Sequence, residues 1–180
     1  TYDQAIVLND KHAPAYFNRG DAYYSQQNYA QAIVDFDQAI LIDPTHAYAY
    51  NERGHAYSHQ GNNAQAIADY TKAIEFQPKM AIFYRNRGDA YSDLGEYVQA
   101  IEDYTQVIEL DGRNAAGYYK RGHAYVAQGE YARAFADYRQ AIELDPNDAL
   151  VQEDYRRVLA ALEQMIELDP NDASVGELRQ

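Results

Sequence analysis

Apolar and small residues recur along this chain at helical intervals, in short bursts separated by brief polar breaks. Tyr16, Arg19, Gly20, Tyr23 and Tyr24 follow one another at three- and four-residue spacing, and Tyr29, Ala32, Ile33, Phe36, Ala39 and Ile40 do so after a short gap. The pattern predicts two helices joined as a hairpin. The hairpin then repeats. Gly20, Gly54, Gly88 and Gly122 stand 34 residues apart, preceded by Tyr16, Tyr50, Tyr84 and Tyr118 and followed by Tyr23, Tyr57, Tyr91 and Tyr125. Pro44, Pro78 and Pro146 keep the same register, with Gly112 in place of the missing proline. A fixed period of this length marks a stacked array of supersecondary units. Four units follow: Ala13–His46, Ala47–Met80, Ala81–Asn114 and Ala115–Asp148.

Each unit is a helix A, a turn and a helix B. Gly61, Gly95 and Gly129 suit the turn because glycine enters the left-handed region without a Cβ clash, while Gln27-Asn28 occupies it in the first unit. Proline ends helix B, since the residue before it avoids the α conformation. Gly20 on helix A and Ala32 on helix B let the two axes approach, and the tyrosine rows fill the space between successive hairpins. At the start, Thr1–Asn9 matches the last part of a helix B and predicts a partial repeat over 1–12, truncated at this end. At the other end the register is expected to break, because Asp145-Pro146-Asn147-Asp148 recurs as Asp169-Pro170-Asn171-Asp172 after 24 residues and Arg156 stands where a repeat glycine would fall. The segment 149–168 is predicted as one capping helix with Val151, Tyr155, Val158, Leu159, Leu162 and Ile166 on its inner face, and 169–180 as a loose tail. The whole of 1–180 is expected to be a single all-α domain.

A hydrophobic content of 47% is ample for a core at this length. There is no cysteine, which excludes disulfides and Cys-based zinc sites but does not locate the protein. No run of about 18 apolar residues occurs and no signal peptide opens the chain, so membrane insertion is not expected and a soluble, cytoplasmic setting is favoured. Thr1 is not an initiator methionine, which points to a processed form or a piece of something longer. The formal net charge of −13 repels phosphate backbones and disfavours nucleic acid.

Arginine and aspartate repeat with the units: Arg19 with Asp35, Arg53 with Asp69, Arg87 with Asp103, and Arg121 with Asp137, each pair sixteen residues apart. Packing devices recur identically in a repeat array and binding sites seldom do, so these pairs read as an ion-pair ladder toward helix B of the same or the preceding unit. His55 and His59 lie four apart on one helix, with Asp89 and Asp93 at the same positions one unit later, a set that could hold a divalent ion. A hydrogen-bonded polar surface is the stronger expectation, since the same positions carry Asp21 and Ser25 in the first unit. No nucleophile and base are paired by spacing, and no glycine-rich phosphate loop occurs. Neither catalysis nor a cofactor is expected.

Taken together, Tyr16, Gly20, Tyr23, Tyr29, Ala32, Ala39 and Pro44 resemble the signature of the tetratricopeptide repeat, matched over 13–148. Arginine at 19, 53, 87 and 121 replaces the family's usual leucine, Asn63 an aromatic residue and Val107 a packing alanine. The resemblance implies a right-handed superhelix of antiparallel helix pairs whose concave face, lined by A helices, binds an extended peptide or a partner's helix. By that geometry the groove takes Phe17, Asp21, Tyr24, Tyr48, Asn51, His55, His59, Arg85, Asp89, Asp93, Tyr119 and His123. These residues vary from unit to unit, as a non-repeating ligand requires, and their excess of acid favours a neutral or basic partner segment. Tyr48 and Asn51 lie outside the repeated packing set, so replacing them is expected to weaken binding with little change in melting temperature. Family members that bind chaperone tails ending in EEVD carry lysine and asparagine where this chain has Phe17 and Asp21, so such a tail is disfavoured. The alternatives are a regulatory or targeting segment of a larger enzyme, and a homo-oligomer formed through the uncovered N-terminal end.

Overall fold

The structure, a computed structural model, describes residues 2–168; the tail 169–180 and the Asp169-Pro170 recurrence lie outside the described residues. The chain is an all-α solenoid of paired antiparallel helices: α1 (Tyr2–Leu8), α2 (Ala13–Ser25), α3 (Tyr29–Ile42), α4 (Ala47–His59), α5 (Asn63–Phe76), α6 (Ala81–Asp93), α7 (Tyr97–Leu110), α8 (Ala115–Ala127), α9 (Tyr131–Leu144) and α10 (Ala149–Leu168). It divides into two compact units, Thr1–Leu94 and Gly95–Gln180.

In the first unit, hairpins α2/α3 and α4/α5 stack with α1 before them and α6 after them. Side chains close the helix starts where backbone N–H groups lack partners: His12 Nδ1 accepts from the Ala15 amide and His46 Nδ1 from the Ala49 amide, both at 3.1 Å. The A-to-B turns share one geometry. The amides of Asn28 and Asn62 donate back to the Tyr23 and Tyr57 carbonyls at 2.9 Å, and the residue before each asparagine has positive φ, 77° at Gly61 and 60° at Gln27. Gln27 thus takes the conformation that glycine supplies elsewhere.

Gly20 and Gly54 have a specific packing cause. A Cβ on either would come within 2.8 Å of a ring carbon, of Phe36 for Gly20 and of Tyr70 for Gly54. The close approach expected of α2 and α3 is therefore an aromatic ring from helix B laid over a bare Cα on helix A.

The predicted ladder is present and reaches further than the spacing suggested. Arg19 makes two hydrogen bonds of 2.7 Å to Asp35, and Arg53 makes two to Asp69 at 2.8 and 2.6 Å. Each guanidinium also turns back to the preceding helix B, Arg19 to Asp3, Arg53 to Asp37 and Arg87 to Thr71. The arginine therefore serves both B helices. Tyrosines flank it: Arg53 lies 5.5 Å from the Tyr50 ring centre and 6.0 Å from Tyr57. The tyrosine rows are thus faces that cover desolvated guanidinium groups, with cation–π attraction added to packing.

The second unit comprises α7 packed on α8, the hairpin α8/α9, and α10 against α9. The devices recur here, with Arg121 bonded twice to Asp137 at 2.8 and 2.7 Å and once to Thr105, Gly129 at φ 77°, and the Tyr138 ring over Gly122. Val151, Val158 and Leu162 of α10 are buried against Ala134, Tyr138 and Ala141 of α9.

At the end of the described chain α10 is one unbroken helix over Ala149–Leu168. Its first residue, Ala149, continues the series Ala13, Ala47, Ala81 and Ala115, so its first turns sit as a fifth helix A. Arg156, at the glycine position, is exposed and no B helix covers it among the described residues.

Candidate functional site

In the first unit, Tyr24, His55 and His59 converge. The Tyr24 ring meets His55 and His59 edge-on, with centres 6.3 and 5.5 Å apart, and His59 stacks flat on Tyr29 at 4.9 Å. A pocket of about 150 Å³ opens beside them, lined by His55, Ser58, His59, Tyr70, Asn86, Asp89 and Ala90. Phe17 is set apart from this cluster, stacked on His46 at 4.9 Å and tilted against Phe36. Tyr48 is 40% exposed, its ring edge on the buried Phe83 at 5.4 Å. Asp21 and Asp93 are exposed, and Arg85 and Asp89 half-buried.

Asn51 departs from expectation. It is only 3% exposed, and Asn86 on α6 is 5% exposed. The two form a chain: Asn51 Nδ2 donates to Glu52 Oε1 at 2.9 Å, Asn86 Nδ2 donates to Asn51 Oδ1 at 2.8 Å, and the same Asn86 nitrogen contacts His55 Nε2 at 2.8 Å. The buried amides are thus structural as well as near the pocket, because an interior amide needs its partners. Asn51→Ala is accordingly expected to cost about 2 kcal/mol, since it strands an Asn86 donor. Urea unfolding of this variant beside Tyr48→Ala checks it.

Electrostatics follow from this packing. Burial, aided by His59 and Arg85 and opposed by Asp89, holds the His55 imidazole down to about 4, so it is neutral at pH 7. Burial and the nearby Asp21 carboxylate raise the Glu52 carboxyl above its usual range, against the Asn51 hydrogen bond. Burial also raises the Tyr24 and Tyr70 hydroxyls. As for metal binding, His55 Nε2 is engaged by the Asn86 contact. Among the described residues no three His, Asp or Glu side chains come together as a ligand set.

In the second unit, Tyr119 and His123 meet a residue outside the expected set. Tyr119 donates its hydroxyl to Asp154 Oδ2 at 3.0 Å, and His123 Nε2 lies 3.0 Å from the same oxygen. The His123 ring also meets Tyr119 at 4.7 Å and Tyr138 at 5.8 Å. Asp154 belongs to the register of Asn86: 35 residues separate Tyr119 from Asp154 and Asn51 from Asn86. Carrying the period through Ala149 would have found it. Tyr70 carried no such signal, since it does not stand out from the packing positions around it.

Residues 13–46, 47–80 and 115–148 match the family model of the tetratricopeptide repeat, and 88–129 match that of a TPR repeat. The chain belongs to the tetratricopeptide repeat family. Among solved TPR structures, that of MamA is 24% identical over 82% of this chain and 86% of its own, with a TM-score of 0.78. That of YrrB, a TPR protein with an unusual peptide-binding site, is 19% identical over 99% and 97%, with a TM-score of 0.76. The first TPR domain of Spaghetti (RPAP3), bound to the HSP90 peptide SRMEEVD, is 30% identical over 65% and 93%, with a TM-score of 0.63. No curated protein matches the sequence. No described helix is long and apolar enough to cross a membrane.

Proposed function

We propose that this TPR chain is a binding module for a neutral or basic peptide or protein segment, taken on the A-helix surface that carries Tyr24, Tyr48, His55, His59 and Asp89. The observation that carries this is the contrast between positions. The arginines, tyrosines and glycines of the packing set recur in each unit, whereas the pocket beside Tyr24 adds to the recurring Tyr70 and Ala90 the side chains of His55, Ser58, His59, Asn86 and Asp89, at positions whose residue changes along the array. Aromatic area with a few directed polar groups suits recognition of an extended segment. Asp21, Glu52, Asp89 and Asp93 supply the preference for positive charge. The HSP90 peptide of the RPAP3 relative is not carried over, because Asp21 repels a terminal carboxylate where family members that bind such tails have asparagine. An enzymatic role is not favoured: Ser58 is hydrogen-bonded to Asn63 and the nearby His55 Nε2 to Asn86, so neither is paired with the other as nucleophile and base.

Tyr48→Ala is expected to weaken a captured partner about tenfold or more while costing about 1 kcal/mol of stability through the lost Phe83 contact. Affinity capture with wild type, Tyr48→Ala and the B-helix variant Val34→Ser with Leu41→Ser checks it. Loss of partner from the B-helix variant alone would move the interface to that face, where Val34 and Leu41 are exposed. A second reading, self-association through α1, rests on Val7 and Leu8, 86% and 87% exposed. Light scattering across a concentration series separates it from the first.

A further inference from the structure

We propose that Asn86 and Asp154, at one register position in different helices, are specificity-determining residues that fix the two groove histidines in opposite hydrogen-bonding roles. The inference rests on the proposed binding role of this surface only for its consequence, not for its geometry.

The order of donors and acceptors starts at Glu52. An ionised carboxylate can only accept, so Asn51 must turn its NH2 toward Glu52 Oε1, 2.9 Å away, and its oxygen toward α6. Asn86 must then present its NH2 to Asn51 Oδ1, and its second hydrogen reaches His55 Nε2. Nε2 is thereby an acceptor and the His55 proton resides on Nδ1. The charge on one carboxylate sets the polarity of three side chains in sequence.

At the equivalent place in the second unit the sense is reversed. Asp154 is acceptor-only, so His123 must offer it Nε2–H, and Tyr119 its hydroxyl. Nδ1 of neutral His123 is then the lone-pair side. One substitution of residue type, amide against carboxylate, thus inverts what the histidine 31 residues earlier can offer. To a bound segment His55 can give an N–H, which suits a peptide carbonyl or side-chain amide oxygen. Neutral His123 can give an acceptor, which suits a peptide N–H or an amine.

The two also differ in surroundings. His55 faces Arg85, His59 and Asp89, with the Tyr24 and Tyr70 rings, and a proton on Nε2 would oppose the Asn86 amide. His123 faces Asp154, itself paired to Arg157, with Tyr119 and Tyr138.

The test needs no partner, so its failure is distinct from failure of the binding role. Long-range proton–nitrogen correlation spectra of the 15N-labelled full chain, assigned by single His→Gln substitutions, report which ring nitrogen holds the proton. At neutral pH His55 is expected as the Nδ1–H tautomer and His123 with a proton on Nε2. Asn86→Asp is expected to move the His55 proton to Nε2 and raise its titration midpoint by about one pH unit or more. Asp154→Asn, at a position free of that buried chain, is expected to let the Nδ1–H tautomer of His123 appear, because an amide can donate as well as accept. An Nε2–H tautomer at His55 or an Nδ1–H tautomer at His123 in the wild type overturns the assignment, whether or not the variants fold. So does an unchanged His123 tautomer ratio in Asp154→Asn.

Discussion

Asp137→Ala is expected to lower the free energy of unfolding by about 3 kcal/mol, and Asp69→Ala by about 2 kcal/mol. Both substitutions remove a buried carboxylate that makes two hydrogen bonds to a half-buried guanidinium. What differs is the arginine's other contact. Arg53 keeps Asp37, a second carboxylate, whereas Arg121 keeps only the neutral Thr105 hydroxyl on the preceding helix. The stranded charge between two tyrosine faces is therefore less compensated in the second unit. Urea unfolding of both variants checks the order as well as the size. Equal losses would mean that the contact to the preceding helix contributes nothing, and negligible losses would reduce the ladder to ornament on an already sufficient core.

Acidification from pH 6.5 to about 4 is expected to remove up to about 3 kcal/mol of stability through His55 alone. The folded chain holds this imidazole at about 4, while the unfolded chain titrates near the ordinary 6.5. Across that window the unfolded state binds the proton and the native state does not, so stability is complete above 6.5 and falls as the pH drops. Glu52 and Asp69 act in the other direction. Burial raises both carboxyls, so their native forms take protons first on acidification and offset part of the loss at the low end of the window. Unfolding curves of wild type and His55→Asn at several pH values isolate the histidine as the difference in slope. Parallel slopes would mean that His55 titrates normally in the fold.

The helices, their hairpin turns and the ladder were legible because a packing position that recurs four times reveals its period without any alignment. Even there the sequence was only partly readable. The pairing of arginine to the residue sixteen positions ahead showed plainly, whereas sixteen behind stand Asp3, Asp37, Thr71 and Thr105, a mixture that left the same and the preceding unit as alternatives when the arginine reaches both. The candidate site was less legible for the opposite reason. Its residues do not repeat, so a buried amide such as Asn51 looks the same on the page as an exposed one. Burial came from the register of the next helix, which brings Asn86 onto it, and only geometry shows that. Asp154 was hidden by the shorter spacing of the Asp-Pro-Asn-Asp motif, which drew attention from the unbroken 34-residue step between Ala115 and Ala149.

Arg156 has a consequence for how such a protein can change in length over evolution. In the hairpins containing Gly20, Gly54 and Gly122, the bare Cα is the seat for an aromatic ring from the following helix. A duplicated hairpin inserted among the existing ones would find such a seat and provide the next. One added directly after α10 would meet an arginine side chain where the ring must lie. Duplication within the row therefore meets a ready seat, whereas after α10 the arginine fills it.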